Sequence, residues 1–375
     1  MTLHQRIVAV LRGEMADRVP FTCKMPQPPR GEIERQLRNE GLAIIGEGEL
    51  LNIDAGGLGT GSAIRPHVEV VRRESWDHGR LLVRETLRTP VGEVHQTWRG
   101  GGAYGTSRLL EYPVKQPEDY AVVEYIIRDE VYHPTYDNVD DSRCPDKFVA
   151  QAQIVGDDGF VFGGWMAPSP LMVMLWYLLG IEQFAIDIRE HPKLFQGLYE
   201  VLFERQREQY RLAANSPALV VHMAENMTSD MVSPQLFRDY CLPCYDEFAS
   251  CLHAQGKLLA VHMDGRMKAI AEAVADSQID IIEGFSPVPD GDLELAEARR
   301  LWRDKIIWMN FPSPVHLLPP DEIAAHTRQI LRDVAPGDRF LLGITEDVPH
   351  GAWQISLPVI SRVLREEGSL PLSLS

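Results

Sequence analysis

Six short apolar runs from residue 160 onward, separated by five stretches of helical period, constrain the fold more than any other feature of this sequence. The runs are residues 160–165 (FVFGGW), 218–223 (ALVVHM), 257–262 (KLLAVH), 279–283 (IDIIE), 305–310 (KIIWMN) and 339–344 (RFLLGI). Between them, residues 181–214, 234–255, 267–277, 293–303 and 320–334 repeat apolar side chains at helical spacing. Ser233-Pro234 and Pro320-Asp321 supply helix-entry chemistry, a serine cap or a proline in the first turn. Strands separated by helical crossovers must run parallel, and six of them favour an α/β chain folded as a (β/α)8 TIM barrel over an open doubly wound sheet. The open sheet normally carries a glycine-rich phosphate turn after a strand; residues 56–61 (GGLGTG) follow no such strand and read as a turn.

The 375 residues suit a single barrel domain with insertions. Near the N-terminus, Ile7, Val10 and Leu11 share one face of a predicted helix. Residues 65–112 follow a different grammar, with alternating segments (HVEVV, RLLVRETL, EVHQTW) broken at Asp77-His78-Gly79 and Thr89-Pro90-Val91-Gly92. That pattern predicts antiparallel hairpins, a β-rich insertion in the N-terminal part of the barrel. Lys plus Arg number 37 and Asp plus Glu 54, giving a net charge of -17 that argues against nucleic acid or an anionic membrane as partner. The longest apolar run, residues 170–181 (PLMVMLWYLLGI), falls short of the roughly 18–20 residues that cross a bilayer and reads as a buried helix. With no export signal legible and five scattered cysteines, the expectation is a cytoplasmic protein with reduced thiols. Cys241-x-x-Cys244 lies in a predicted helix and reads as packing.

A parallel barrel presents its chemistry at the C-terminal ends of its strands. There the sequence delivers Trp165 with Met166, His222 with Glu225 and Asn226, His262 with Asp264, then Glu283, Asn310, and Glu346 with Asp347. Burying several carboxylates at one end costs several kcal/mol each unless water, a cation or a catalytic duty compensates. His262, Asp264, Glu283 and Glu346 make a mixed nitrogen and oxygen set suited to zinc, with a metal-free polar pocket as the alternative.

Several motifs carry a resemblance. Ser233-Pro234, Phe237, Tyr240, Leu242-Pro243 and Tyr245 are followed by Gly256-Lys257 and then by His262-Met263-Asp264-Gly265. Together with Gly180-Ile181-Glu182-Gln183-Phe184, Pro90-Val91-Gly92-Glu93 and Arg18-Val19-Pro20, these resemble the uroporphyrinogen decarboxylase superfamily, which implies a (β/α)8 barrel over most of the chain. One branch of that superfamily decarboxylates porphyrinogens through an N-terminal arginine motif. Here the corresponding stretch is Lys24-Met25-Pro26-Gln27-Pro28-Pro29-Arg30, with Arg35 beyond it. The other branch comprises corrinoid-dependent methyltransferases that hold zinc through a His-x-Cys motif and a distant cysteine; this chain has His262-x-Asp264 and Glu346 at those places.

Oxygen ligands in place of thiolates imply a harder Lewis acid, suited to polarising the heteroatom of a methylated substrate. The leading expectation is a zinc-dependent methyltransferase of O-demethylase type, moving a methyl group from a small O- or N-methylated substrate to the corrinoid (cobalamin) of a partner protein. In it His262, Glu346 and either Asp264 or Glu283 hold the metal. His222, Glu225 and Asp264 supply catalytic groups, and Trp165, Met166, Asn226, Asn310 and Arg30 meet the substrate. A metal-free decarboxylase of an anionic substrate, binding through Arg30 and Arg35, is the alternative, and a non-catalytic ligand-binding barrel is a third reading.

Overall fold

Eight parallel strands close on themselves in the order β1-β12-β11-β10-β9-β8-β7-β2 in the computed structural model of the protein. They are β1 (Phe21–Lys24), β2 (Leu42–Glu49), β7 (Gly159–Met166), β8 (Val220–Met223), β9 (Leu258–His262), β10 (Ile281–Phe285), β11 (Ile306–Asn310) and β12 (Phe340–Ile344). The structure describes all residues except 25–27, 55–56, 59–62, 102–105, 138–146, 346–347 and 374–375. Of the glycine cluster at 56–61, only Gly57 and Leu58 therefore fall within the described residues. The last six barrel strands coincide with the six apolar runs to within two residues at either end. Sequence reasoning passed over β1 and β2, which lie among polar and glycine-rich neighbours without a long helical period between them.

The chain divides into two compact units. The first comprises Met1–Leu50, Tyr136–Gly164 and Pro217–Ser375, and the second Leu51–Thr135 and Trp165–Ser216. In the first unit the period-2 alternation of each strand turns one set of side chains into the barrel. Ala43, Ile45, Phe160, Phe162, Val220, Ala260, Ile281, Ile306, Trp308 and Leu341 form that interior cluster. Ile7, Val10 and Leu11 of the N-terminal helix Leu3–Leu11 join it, which is the use made of their shared apolar face. Ser233 caps the next helical segment with its hydroxyl accepting from the Leu236 N–H at 3.3 Å, and the helix Pro320–Val334 begins with proline in its first turn.

The second unit contains an antiparallel sheet of β3 (Glu69–Asp77), β4 (Arg80–Thr89), β5 (Gly92–Arg99) and β6 (Arg108–Glu111), paired in that order. Its β3–β4 turn sets His78 at φ 47° and Gly79 at φ 76°, the left-handed pair that a two-residue hairpin requires. Val83, Glu85 and Leu87 alternate into the buried face, and Glu85 is satisfied there by the Gln96 amide at 2.8 Å. Arg65 is buried between Asp54 (2.9 Å) and Glu130 (2.6 Å). The segment Pro170–Glu190 is long and apolar enough to span a membrane, yet 56% of its most apolar stretch is buried within the protein, as in a core helix.

Cys23, Cys241, Cys244 and Cys251 form no disulfide among the described residues. Cys241 and Cys244 are fully buried, and burial pushes the Cys23 thiol up to about 12. His316 is buried too, with Nδ1 2.8 Å from the Ser356 hydroxyl, and burial pulls its pKa from 6.5 down to about 4. Below pH 6.5 an unfolded chain takes up a proton that the folded chain refuses until about pH 4. Stability is therefore expected to fall by up to about 3 kcal/mol as pH drops through that window and to lose no more from this group below it. Urea unfolding across the window checks this, since His316→Asn is expected to flatten the slope.

Candidate metal centre at the barrel mouth

The inward-facing positions of β8, β9 and β10 are apolar below and polar at the last turn of strand: Val220 then His222, Ala260 then His262, Ile281 then Glu283. Parallel register sets Glu283 directly beside His262, and His222 beside Ala260. All three side chains are buried, and one atom, Glu283 Oε2, meets both imidazoles: His262 Nδ1 at 2.5 Å and His222 Nε2 at 3.1 Å. One ligand atom from each residue lies within 4.8 Å of the others, so the group could hold a single metal ion. On the far side of the His262 ring, Asp264 Oδ2 approaches Nε2 to 3.7 Å. That is the place of an outer carboxylate that orients a ligating histidine.

Backbone geometry makes room for the cluster. A register irregularity between Glu283 and Phe285 puts Gly284 at φ 71°, and a Cβ there would lie 2.6 Å from His262 Cε1 and 2.7 Å from Nδ1. Only glycine accepts both the conformation and the ring. Beneath the site, Phe162 packs on His222 at 4.7 Å between centroids and meets Trp308 edge-on at 6.0 Å. Trp308 donates its indole N–H to Thr22 Oγ1 at 2.9 Å, and Thr22 in turn donates to the Leu342 carbonyl at 3.2 Å. The floor is thus a buried aromatic layer in which the Trp308 N–H and the Thr22 hydroxyl are both hydrogen-bonded.

The charges within the cluster support each other. Burial favours the neutral acid of Glu283, but His262 and His222 outweigh it and hold the carboxyl well below its usual range. Burial likewise opposes a charge on His262, but Glu283 and Asp264 outweigh it and hold the imidazole protonated well above its usual range. A buried imidazolium locked to a carboxylate occupies the place of a cation. The donor set, two imidazoles and one carboxylate, is one that zinc accepts in catalytic sites with a position left open.

Other residues singled out from sequence take different places. His222, read as a proton handler beside Glu225, stands among the possible ligands. Glu225 instead accepts the Tyr245 hydroxyl at 2.6 Å in a fully buried pair, where burial and the neighbouring carboxylate keep Tyr245 a phenol. Asn310 is buried, and its Oδ1 receives the Thr345 N–H at 3.1 Å, fixing the start of the segment that leads to Glu346. Glu346 and Asp347 themselves lie outside the described residues. Asn226 is exposed with φ 49°. Trp165 and Met166 belong to the second unit, the first 45% exposed and the second buried. Arg30 is exposed and bonded to Glu34 at 2.9 Å.

Sequence reasoning missed Lys24 and Glu47, which pair at 2.7 Å at the ends of β1 and β2. Four steps around the closed order separate β1 from β9 and β2 from β10, so this ion pair rises from the wall opposite His262 and Glu283. With β1 and β2 unread as strands, no signal in the sequence aimed these two side chains at the mouth.

The buried His/Glu cluster stands at the C-terminal end of a (β/α)8 barrel, the end at which barrels of this fold carry their active sites. The model of the uroporphyrinogen decarboxylase (URO-D) family matches residues 149–352, and the chain belongs to that family. Among solved structures, a methyltransferase from Methanosarcina mazei is similar with a TM-score of 0.56 and 16% identity, covering 96% of this chain and 98% of that one. That likeness is one of fold. Comparison with curated proteins gives no match.

Proposed function

We propose that the protein is a zinc-dependent methyltransferase that takes a methyl group from a small O- or N-methylated substrate and passes it to the corrinoid of a partner protein in the cytoplasm. The observation that carries this reading is the buried trio His222, His262 and Glu283. The barrel shared with a methyltransferase over 96% of this chain supports it. Bound there, zinc would supply Lewis acidity at the heteroatom that loses the methyl group. The protein's own residues do the rest. His222, His262 and Glu283 would hold the ion, and Asp264 would fix the His262 ring through Nε2. Phe162 and Trp308 exclude water from below, while Lys24 and Glu47 offer polar contacts to a substrate from the opposite wall. The decarboxylase reading draws on Arg30, which is exposed and tied to Glu34.

Elemental analysis of protein purified without added metal or chelator is expected to give about one zinc per chain, lost in both His262→Ala and His222→Ala. Methylation of free cob(I)alamin by candidate methyl donors should follow zinc content across the same variants. Absence of metal in the wild type even after incubation with zinc would overturn the ligand set.

A further inference from the structure

A second cavity, of about 290 Å3, opens at the N-terminal end of the barrel, away from the His/Glu cluster. Its walls are two helices, Leu3–Leu11 with its following residue and Phe148–Val155, and its base is the start of β7. Val8 on the first helix faces Phe148, Ala152 and Val155 on the second, with Phe160 and Leu219 beneath. The volume sits at the lower edge of ligand-sized pockets, roughly 300–1,000 Å3.

Only two of the lining side chains are polar, and both belong to the same helical stripe as Val8: His4 and Arg12. His4 is fixed, its Nδ1 3.0 Å from the Gly159 carbonyl, which only an N–H can satisfy, and its ring stacked on Phe160 with centroids 6.0 Å apart. Arg12 is exposed and forms no ion pair with another described side chain. Arg12 thus brings a guanidinium with no carboxylate partner among the described residues to the lining of an otherwise apolar cavity.

We propose that this cavity binds a small amphipathic carboxylate, its apolar body held between the two helices and its carboxylate on Arg12. The binding is separate from the methyl-transfer site, because the cavity lies at the end of the barrel where the strands begin. An arginine facing a carboxylate gives a charge-assisted, paired hydrogen bond that a neutral head group cannot replace.

Calorimetric titration of the full chain with hexanoate and with hexanol tests this. Hexanoate is expected to bind saturably at about one per chain and about tenfold more tightly than hexanol. Arg12→Gln should erase that preference while sparing hexanol binding. Ala152→Phe and Val8→Phe fill the cavity from opposite walls, so that a folding defect in one leaves the other informative. Both should abolish binding of either ligand without changing zinc content. Lack of saturable hexanoate binding to the wild type, equal affinity for hexanoate and hexanol, or binding that survives both filling substitutions would each overturn the proposal.

Discussion

Glu283→Gln is expected to cost the metal-free protein about 3–5 kcal/mol of stability, because it leaves a buried imidazolium without its carboxylate. The Glu283 carboxylate meets both His262 and His222 through one oxygen, and the amide of glutamine can replace that acceptor but not its charge. The sign of the pH dependence follows from the two shifts. Glu283, held below its ordinary value of 4.5, contributes stability above that pH and loses it as pH falls further. His262, held above its ordinary 6.5, contributes stability below that pH and loses it as pH rises through its raised value. The penalty of the substitution is therefore greatest between pH 4.5 and 6.5 and shrinks on either side. Zinc should raise the unfolding temperature of the wild type by mass action and release a proton as it binds, and should do neither in the variant. A variant within about 1 kcal/mol of wild type that still responds to zinc would remove Glu283 from the site.

Gly284→Ala is expected to disturb the same site through the backbone. A side chain at φ 71° costs about 1–3 kcal/mol in strain, before its contact with His262 is counted. That contact, 2.6 Å from Cβ to ring carbon, cannot be relieved on the Glu283 side, since Glu283 Oε2 already stands 2.5 Å from His262 Nδ1. The ring must tilt, so zinc affinity should fall along with stability. Thermal unfolding with and without zinc separates the two losses. An unchanged midpoint together with unchanged zinc response would show that the register irregularity at Gly284 has no part in placing His262.

The order of six barrel strands and the polar residues at their ends were legible in the sequence, because a strand buried on both faces must read as an apolar run and its crossover helix must carry helical period. The hairpin sheet was legible for a similar local reason, since alternation and left-handed turn residues such as Gly79 are properties of neighbouring positions. His262 and Glu283 could be singled out in the same way, each as the polar end of its own run. What sequence could not decide is which ends meet. His222 joins the two through a single oxygen of Glu283, while Glu225, only three positions on, turns away to Tyr245. The Lys24–Glu47 pair depends on two strands that carry no long apolar run. Strand register and barrel closure bring together residues 61 positions apart at His222 and Glu283, and only packing in three dimensions sets such distances. The sequence by itself determined the barrel and the polar residues that end its strands; the tertiary structure decided which of them cluster, because closing the sheet fixes at once which inward side chains share a layer.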